Sequence, residues 1–154
     1  MANQTTGAIT FANCKILISA TTAFPTSSLD VSGVANNLTL SGGELNMVEG
    51  FTFGTNTPII AAGKRAALEL AMKVYYSEIA GDGFSTLATW YEGQTPVYVQ
   101  YTPKGSGVGA FVFTSGAGYI TTPVYPGGDS EGKEFATFET KVKVQSITRS
   151  TAAA

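Results

Sequence analysis

The segment RAALELAMKVYY, residues 65–76, decides the fold, because its composition and its pattern point in opposite directions. Ala, Leu, Glu, Met and Lys are strong helix formers, so propensity alone favours a helix. The order of the residues does not. Leu68, Leu70, Met72, Val74 and Tyr76 alternate without interruption with Glu69, Ala71, Lys73 and Tyr75, the period of a strand with one apolar and one polar face. Helical spacing would scatter the charges instead of collecting them on one side. The segment is read as a strand.

The same period recurs along the chain. Cys14, Ile16 and Ile18 alternate with Lys15 and Leu17, and Leu38 and Leu40 with Thr39 and Ser41. Val97, Val99 and Tyr101 alternate with Tyr98, Gln100 and Thr102, and further strands are expected at 110–114 and 119–124. Residues 135–148 read as one long final strand, with Phe138, Val142 and Val144 opposite Glu139, Lys141 and Lys143. Helical spacing appears once: Phe84, Leu87, Ala88 and Tyr91 follow Asp82 as expected N-cap, with Gly93 as expected left-handed terminus and Pro96 as a stop. Trp90 is expected to anchor this helix against a sheet. The fold class is mainly β, an antiparallel sandwich with one short flanking helix.

At 154 residues the chain is long enough for one domain that buries roughly 70% of its unfolded surface. Its single cysteine, Cys14, leaves no disulfide framework, and between Asn13 and Lys15 it reads as a small strand hydrophobe. There is no histidine, which removes Ser-His-Asp and Cys-His catalysis and imidazole-bound zinc. No catalytic residue, metal or cofactor is assigned, and the chain is not read as an enzyme. Charged residues make up 13% against about 25% in an ordinary soluble domain, and the net charge is -2. Such a surface repels its own copies weakly and suits a chain whose exterior becomes subunit interface. The one adjacent basic pair, Lys64-Arg65, offers no nucleic-acid patch. No apolar run approaches the roughly 20 residues that span a bilayer, and the first twenty residues lack a signal-peptide pattern. No membrane role is expected.

Two loops stand out. Residues 50–63 form a long apolar connection holding Phe51, Phe53, Pro58, Ile59 and Ile60, with Gly50, Gly54 and Gly63 permitting a hairpin whose tip reaches outward. Docking on a neighbouring copy is preferred over folding back onto its own core. The second, GGDSEGKEF at 127–135, gathers Asp129, Glu131 and Glu134. Their spacing does not match an EF-hand, so a solvated turn feeding the next strand ranks above a metal site, and inter-subunit salt bridging is the preferred functional reading.

The closing region GAGYITTPVYPGGDSEGKEFATFETKVKVQSITRSTA, residues 116–152, resembles the tail tube proteins of long-tailed bacteriophages. So does TPIIAAGKRAALELAMKVYY, a Gly-Lys-Arg lead into a long strand after an extended loop. The resemblance implies one tail-tube-like domain over residues 1–154, with polar arms at 1–8 and 149–154. It implies sheets that join between subunits into a ring-shaped barrel, hexameric rings stacked around a tape-measure protein, and terminator and baseplate partners. DNA would pass along the bore without specific binding; six copies at a net charge of -2 would make a mildly acidic ring, although the proposed inner strands carry basic as well as acidic residues. The product would be made in the host bacterial cytoplasm and end in the virion. Residues 50–63 would reach between subunits or rings, and Glu69, Lys73, Glu139, Lys141 and Lys143 would face the lumen or a neighbouring subunit.

Other readings stay open at this level. A carbohydrate-binding or adhesive β-sandwich would use Trp90, Tyr98, Tyr101 and Tyr119 as stacking platforms. A carboxylate-only hydrolase would need a deep cleft. A tail terminator or secretion-tube subunit would share the fold.

Overall fold

A computed structural model describes residues 7, 9–22, 24, 28–105 and 107–152. Most of the segment 65–76 is strand, as its alternation predicts. Strand β6 (Leu68–Tyr75) buries Leu70, Met72 and Val74 almost completely, while Lys73 and Tyr75 stay exposed. It sits inside a four-stranded antiparallel sheet with β3 (Ala35–Gly42), β10 (Thr137–Val144) and β9 (Gly118–Ile120), in the order β3-β6-β10-β9. A second, five-stranded sheet contains β1 (Lys15–Ser19), β2 (Leu29–Asp30), β7 (Tyr98–Thr102), β8 (Phe111–Ser115) and β11 (Ile147–Thr151), ordered β11-β8-β7-β1-β2. The core draws on both sheets: Ile16, Ile18 and Val99 from one, Leu70, Met72 and Val142 from the other. These are the inward halves of the period-two segments. Neither sheet closes on itself, so no barrel exists within one copy.

The helix α1 (Phe84–Glu92) adds Leu87 to this core, with Trp90 partly buried against it. Phe84 makes edge-on ring contacts with Tyr76 and Phe138 at 4.9 and 5.4 Å. Both of its ends differ from expectation. The N-cap is Gly83, at φ 99°, and Asp82 makes no side-chain cap bond. Gly83 is tolerated there because only glycine adopts that backbone without a Cβ penalty, and a Cβ would meet Leu29 at 3.0 Å. At the other end Gly93 is right-handed and Gln94 takes the left-handed position at φ 52°. The Thr95 N–H then reaches back to the Trp90 carbonyl at 3.0 Å.

Two strand expectations are also corrected. The run 135–148 is two strands, β10 and β11, which belong to different sheets; the chain crosses between them at Gln145-Ser146. The expected strand at 119–124 is shortened to β9, although Val124 beyond it is fully buried. Leu17, on the face of β1 opposite Ile16 and Ile18, is buried as they are, so this strand is covered on both faces. Cys14 lies just before β1, behind a short 3-10 turn (Phe11–Asn13), and is partly buried against the core.

Candidate assembly surfaces

Residues 50–63 are not an irregular loop. They are the outer part of a hairpin formed by β4 (Leu45–Gly50) and β5 (Ile59–Arg65), with Gly50 opposite Ile59 and Glu49 opposite Ile60. The hairpin prolongs β3 and β6 beyond the end of their sheet. Hydrogen bonds from Gly43 N to Ala67 O (3.2 Å) and from Ala66 N to Glu44 O (2.9 Å) carry the pairing across the junction. The expected single strand 65–76 is therefore interrupted at Ala66-Ala67.

Gly42 and Gly43, both at positive φ (79° and 75°), turn the chain at this junction. A Cβ on Gly42 would collide with the Ala67 carbonyl oxygen. Further out, Gly63 sits at a bulge, where the register slips between Leu45 and Met47 and a Cβ would lie 2.9 Å from Asn46 O. Its glycine is required by close backbone approach.

Every residue of β4 and β5 is exposed, on both faces. Ile59 and Ile60 are each 61% exposed, Phe51 is 68% exposed and Phe53 fully so, while Pro58 is half-buried and Gly54 open to solvent. Met47 and Val48 enlarge the same apolar surface; alternation did not single them out because both faces of this segment carry apolar residues. A two-stranded ribbon with neither face covered is marginal in water.

The second surface is the outer face of the four-stranded sheet, where the register brings the predicted charges together. Lys73 stands opposite Glu139, Glu69 opposite Lys143, and Ala71 opposite Lys141. β3 adds Asn37, Thr39 and Ser41 along the same rows, and β9 adds Tyr119 beside Lys143. Lys141 Nζ lies 3.8 Å from Glu139 Oε1. That pair lies along one strand and is largely exposed, so it contributes no more than about 1 kcal/mol. The five predicted charges are three lysines and two glutamates, so this face is close to balanced and does not itself form an acidic wall. Beside it, Tyr125, Gly127 and Thr137 edge an open depression of about 470 Å³ that includes Lys73 and Glu139.

The acidic turn is satisfied locally. Asp129 Oδ1 accepts the Glu131 N–H at 3.0 Å, and Glu131 pairs with Lys133 at 2.6 Å, with both side chains largely exposed. Glu134 is exposed nearby. No group of three or more His, Cys, Asp or Glu side chains suited to a metal ion occurs among the described residues. The four aromatics of the adhesive reading do not share a surface. Tyr101 is buried and stacked on Phe113 (5.1 Å), Trp90 packs on the core, Tyr98 is half-buried, and Tyr119 alone of the four is exposed.

Burial raises the Cys14 thiol above its ordinary range, and burial followed by the charge of Cys14 does the same for the Tyr101 phenol. Tyr76 is raised by its hydrogen bond to Glu78 Oε1 (2.8 Å). No helix among the described residues is long and apolar enough to cross a membrane.

The chain is similar in fold to several solved tube proteins. The SPP1 tail tube, solved by solid-state NMR and cryo-EM, matches with a TM-score of 0.71 and 13% identity, over 96% of this chain and 81% of that one. The sheath-tube complex of the PVC extracellular contractile injection system matches at 0.68 and 10% identity, over 96% and 94%. The cap that terminates the tube of the anti-feeding prophage matches at 0.65 and 15% identity, over 99% and 95%. No protein-family profile matches the chain, and no curated protein matches it by sequence. The fold is that of phage tail tube proteins, as the sequence resemblance implied.

Proposed function

We propose that this chain is a non-enzymatic structural subunit of the tube of a phage tail or a phage-like contractile particle. Copies close into a ring, hexameric as the resemblance implies, and rings stack into a hollow tube. The observation that carries this reading is the β4–β5 arm, a paired ribbon whose apolar residues are exposed on both faces. A monomer gains nothing from such an arm, whereas a neighbouring copy would bury it. The open edge of the four-stranded sheet at β3 supports the same reading, because an unpaired edge is a template for another strand. Tube length would be set with a tape-measure protein, the ends would meet terminator and baseplate proteins, and DNA would pass without base-specific contact. The whole chain acts as one tube-forming domain within the virion. A terminator role is the second reading, favoured by the similarity to the anti-feeding prophage cap.

Negative-stain electron microscopy of the concentrated protein, and of particles labelled with an antibody against it, tests the proposal. Stacked annuli with a central channel are expected. A stable monomer that is absent from particles and binds glycans contradicts it.

A further inference from the structure

At the root of the arm, where the two sheets come together, lies a groove of about 550 Å³. Leu40, Leu68, Tyr101, Phe113 and Ile147 supply its apolar lining. Arg65 and Arg149 also line it, and neither has a carboxylate within salt-bridge distance among the described residues. Arg149 lies over the Phe111 ring, 5.1 Å from its centre, which leaves its guanidinium N–H groups free for an acceptor in the groove. An apolar floor with unpaired arginines is built for a segment that presents a large hydrophobe next to a carboxylate.

The arm tip has that composition: Glu49-Gly50-Phe51-Thr52-Phe53, with both rings exposed. It cannot serve its own groove. Arg65 lines the groove at the base of β5, and six residue steps at about 3.3 Å each place Ile59 roughly 20 Å away, with Phe53 beyond it. Folding the tip back would require breaking the hairpin ladder. We infer that the groove receives the arm tip of a second copy, with Phe51 or Phe53 in the apolar floor and Glu49 on Arg65 or Arg149. Donor and receptor lie on different parts of the same chain, so the contact is head-to-tail and propagates from copy to copy. The inference rests on the tube reading and specifies its contact.

The test is disulfide trapping in a Cys14→Ser background. Phe53→Cys combined with Ile147→Cys is assembled, oxidised and run on a non-reducing gel. A ladder of covalent oligomers is expected from the pair, and at most dimers from either cysteine alone. Annuli that form normally but give no ladder overturn the groove while leaving the tube reading intact. So does a ladder obtained instead with Phe53→Cys and Phe135→Cys, since Phe135 is an exposed ring remote from the groove. A chain that stays monomeric at every concentration overturns both.

Charge reversal gives an independent arm. Glu49→Arg and Arg149→Glu are each expected to raise the concentration needed for assembly about tenfold, and the double variant to restore most of it. Both side chains are exposed, so melting of the isolated chain should change little, Arg149→Glu losing only its contact with the Phe111 ring. Additive losses without rescue contradict the pairing at Arg149, and the same exchange with Arg65→Glu then decides whether Arg65 takes its place; failure of both overturns the proposal.

Discussion

Strand β6 of the four-stranded sheet and the arm strands β4 and β5 that prolong its hairpin with β3 differ in what covers them rather than in how they pair. In the sheet, the inward residues Leu70, Met72 and Val74 are at most 1% exposed. In the arm, every residue of both strands is exposed. The backbone pairing runs almost without a break from one region to the other, so hydrogen bonding cannot be what distinguishes them. The difference is burial, and burial is what stabilises a ribbon of two strands. β6 is held on one face by the core, β3 beside it is largely exposed, and the arm is exposed throughout.

The largest effect that would test this contrast is a cavity in the sheet. Leu70→Ala should destabilise the isolated chain by about 2–5 kcal/mol in denaturant unfolding. Ile60→Ala, a similar truncation in the arm, should change it by less than about 0.5 kcal/mol. Equal losses would mean that the arm is packed in the free chain.

The junction comes next. Gly42→Ala forces a left-handed alanine against the Ala67 carbonyl and should cost about 1–2 kcal/mol. Gly50→Ala, in the arm and with nothing within 4 Å of the added methyl, is the matched control and should be silent in the same unfolding assay. A silent Gly42→Ala would show that the turn at the arm's root is not fixed.

A smaller effect of opposite sign is expected inside the sheet. Thr140 is fully buried opposite Met72, and its hydroxyl has no hydrogen-bond partner. Thr140→Val removes that unpaired group and should raise stability by about 1 kcal/mol. A loss instead would reveal a partner for the hydroxyl, such as a buried water.

The smallest effect is in alkaline solution. Burial holds the protons of Cys14 and Tyr101 more tightly in the folded chain than in the unfolded one. Their contribution is complete below the ordinary thiol value of 9.0 and is lost as pH rises through the raised folded values. Melting temperature should be level near neutrality and fall above that point, and Cys14→Ser should make the fall shallower. An unchanged slope would remove Cys14 from the account.

Much of the sandwich is legible in the sequence because period-two alternation is a local signal. Residues 68–76, 97–102 and the first half of 135–148 show their buried faces directly, and the pairing of β6 with β10 sets Glu69 and Lys73 against Lys143 and Glu139. The boundaries are less legible. Nothing local marks Gln145-Ser146 as the point where the chain leaves one sheet for the other, because both halves keep strand character. The Gly42-Gly43 pair is the available sign of the turn at the arm's root, yet a glycine pair marks a turn without specifying the ribbon beyond it. The groove is not legible at all: Leu40, Tyr101 and Ile147 are far apart in sequence and meet only when the sheets pack.

Amide hydrogen exchange, measured on the isolated chain and on assembled material, tests the contrast between sheet and arm at the backbone itself. Residues 68–75 should be protected in both states. Residues 45–65 should exchange rapidly in the isolated chain and become protected on assembly. Strong protection of 45–65 already in the monomer, or none after assembly, would contradict the account.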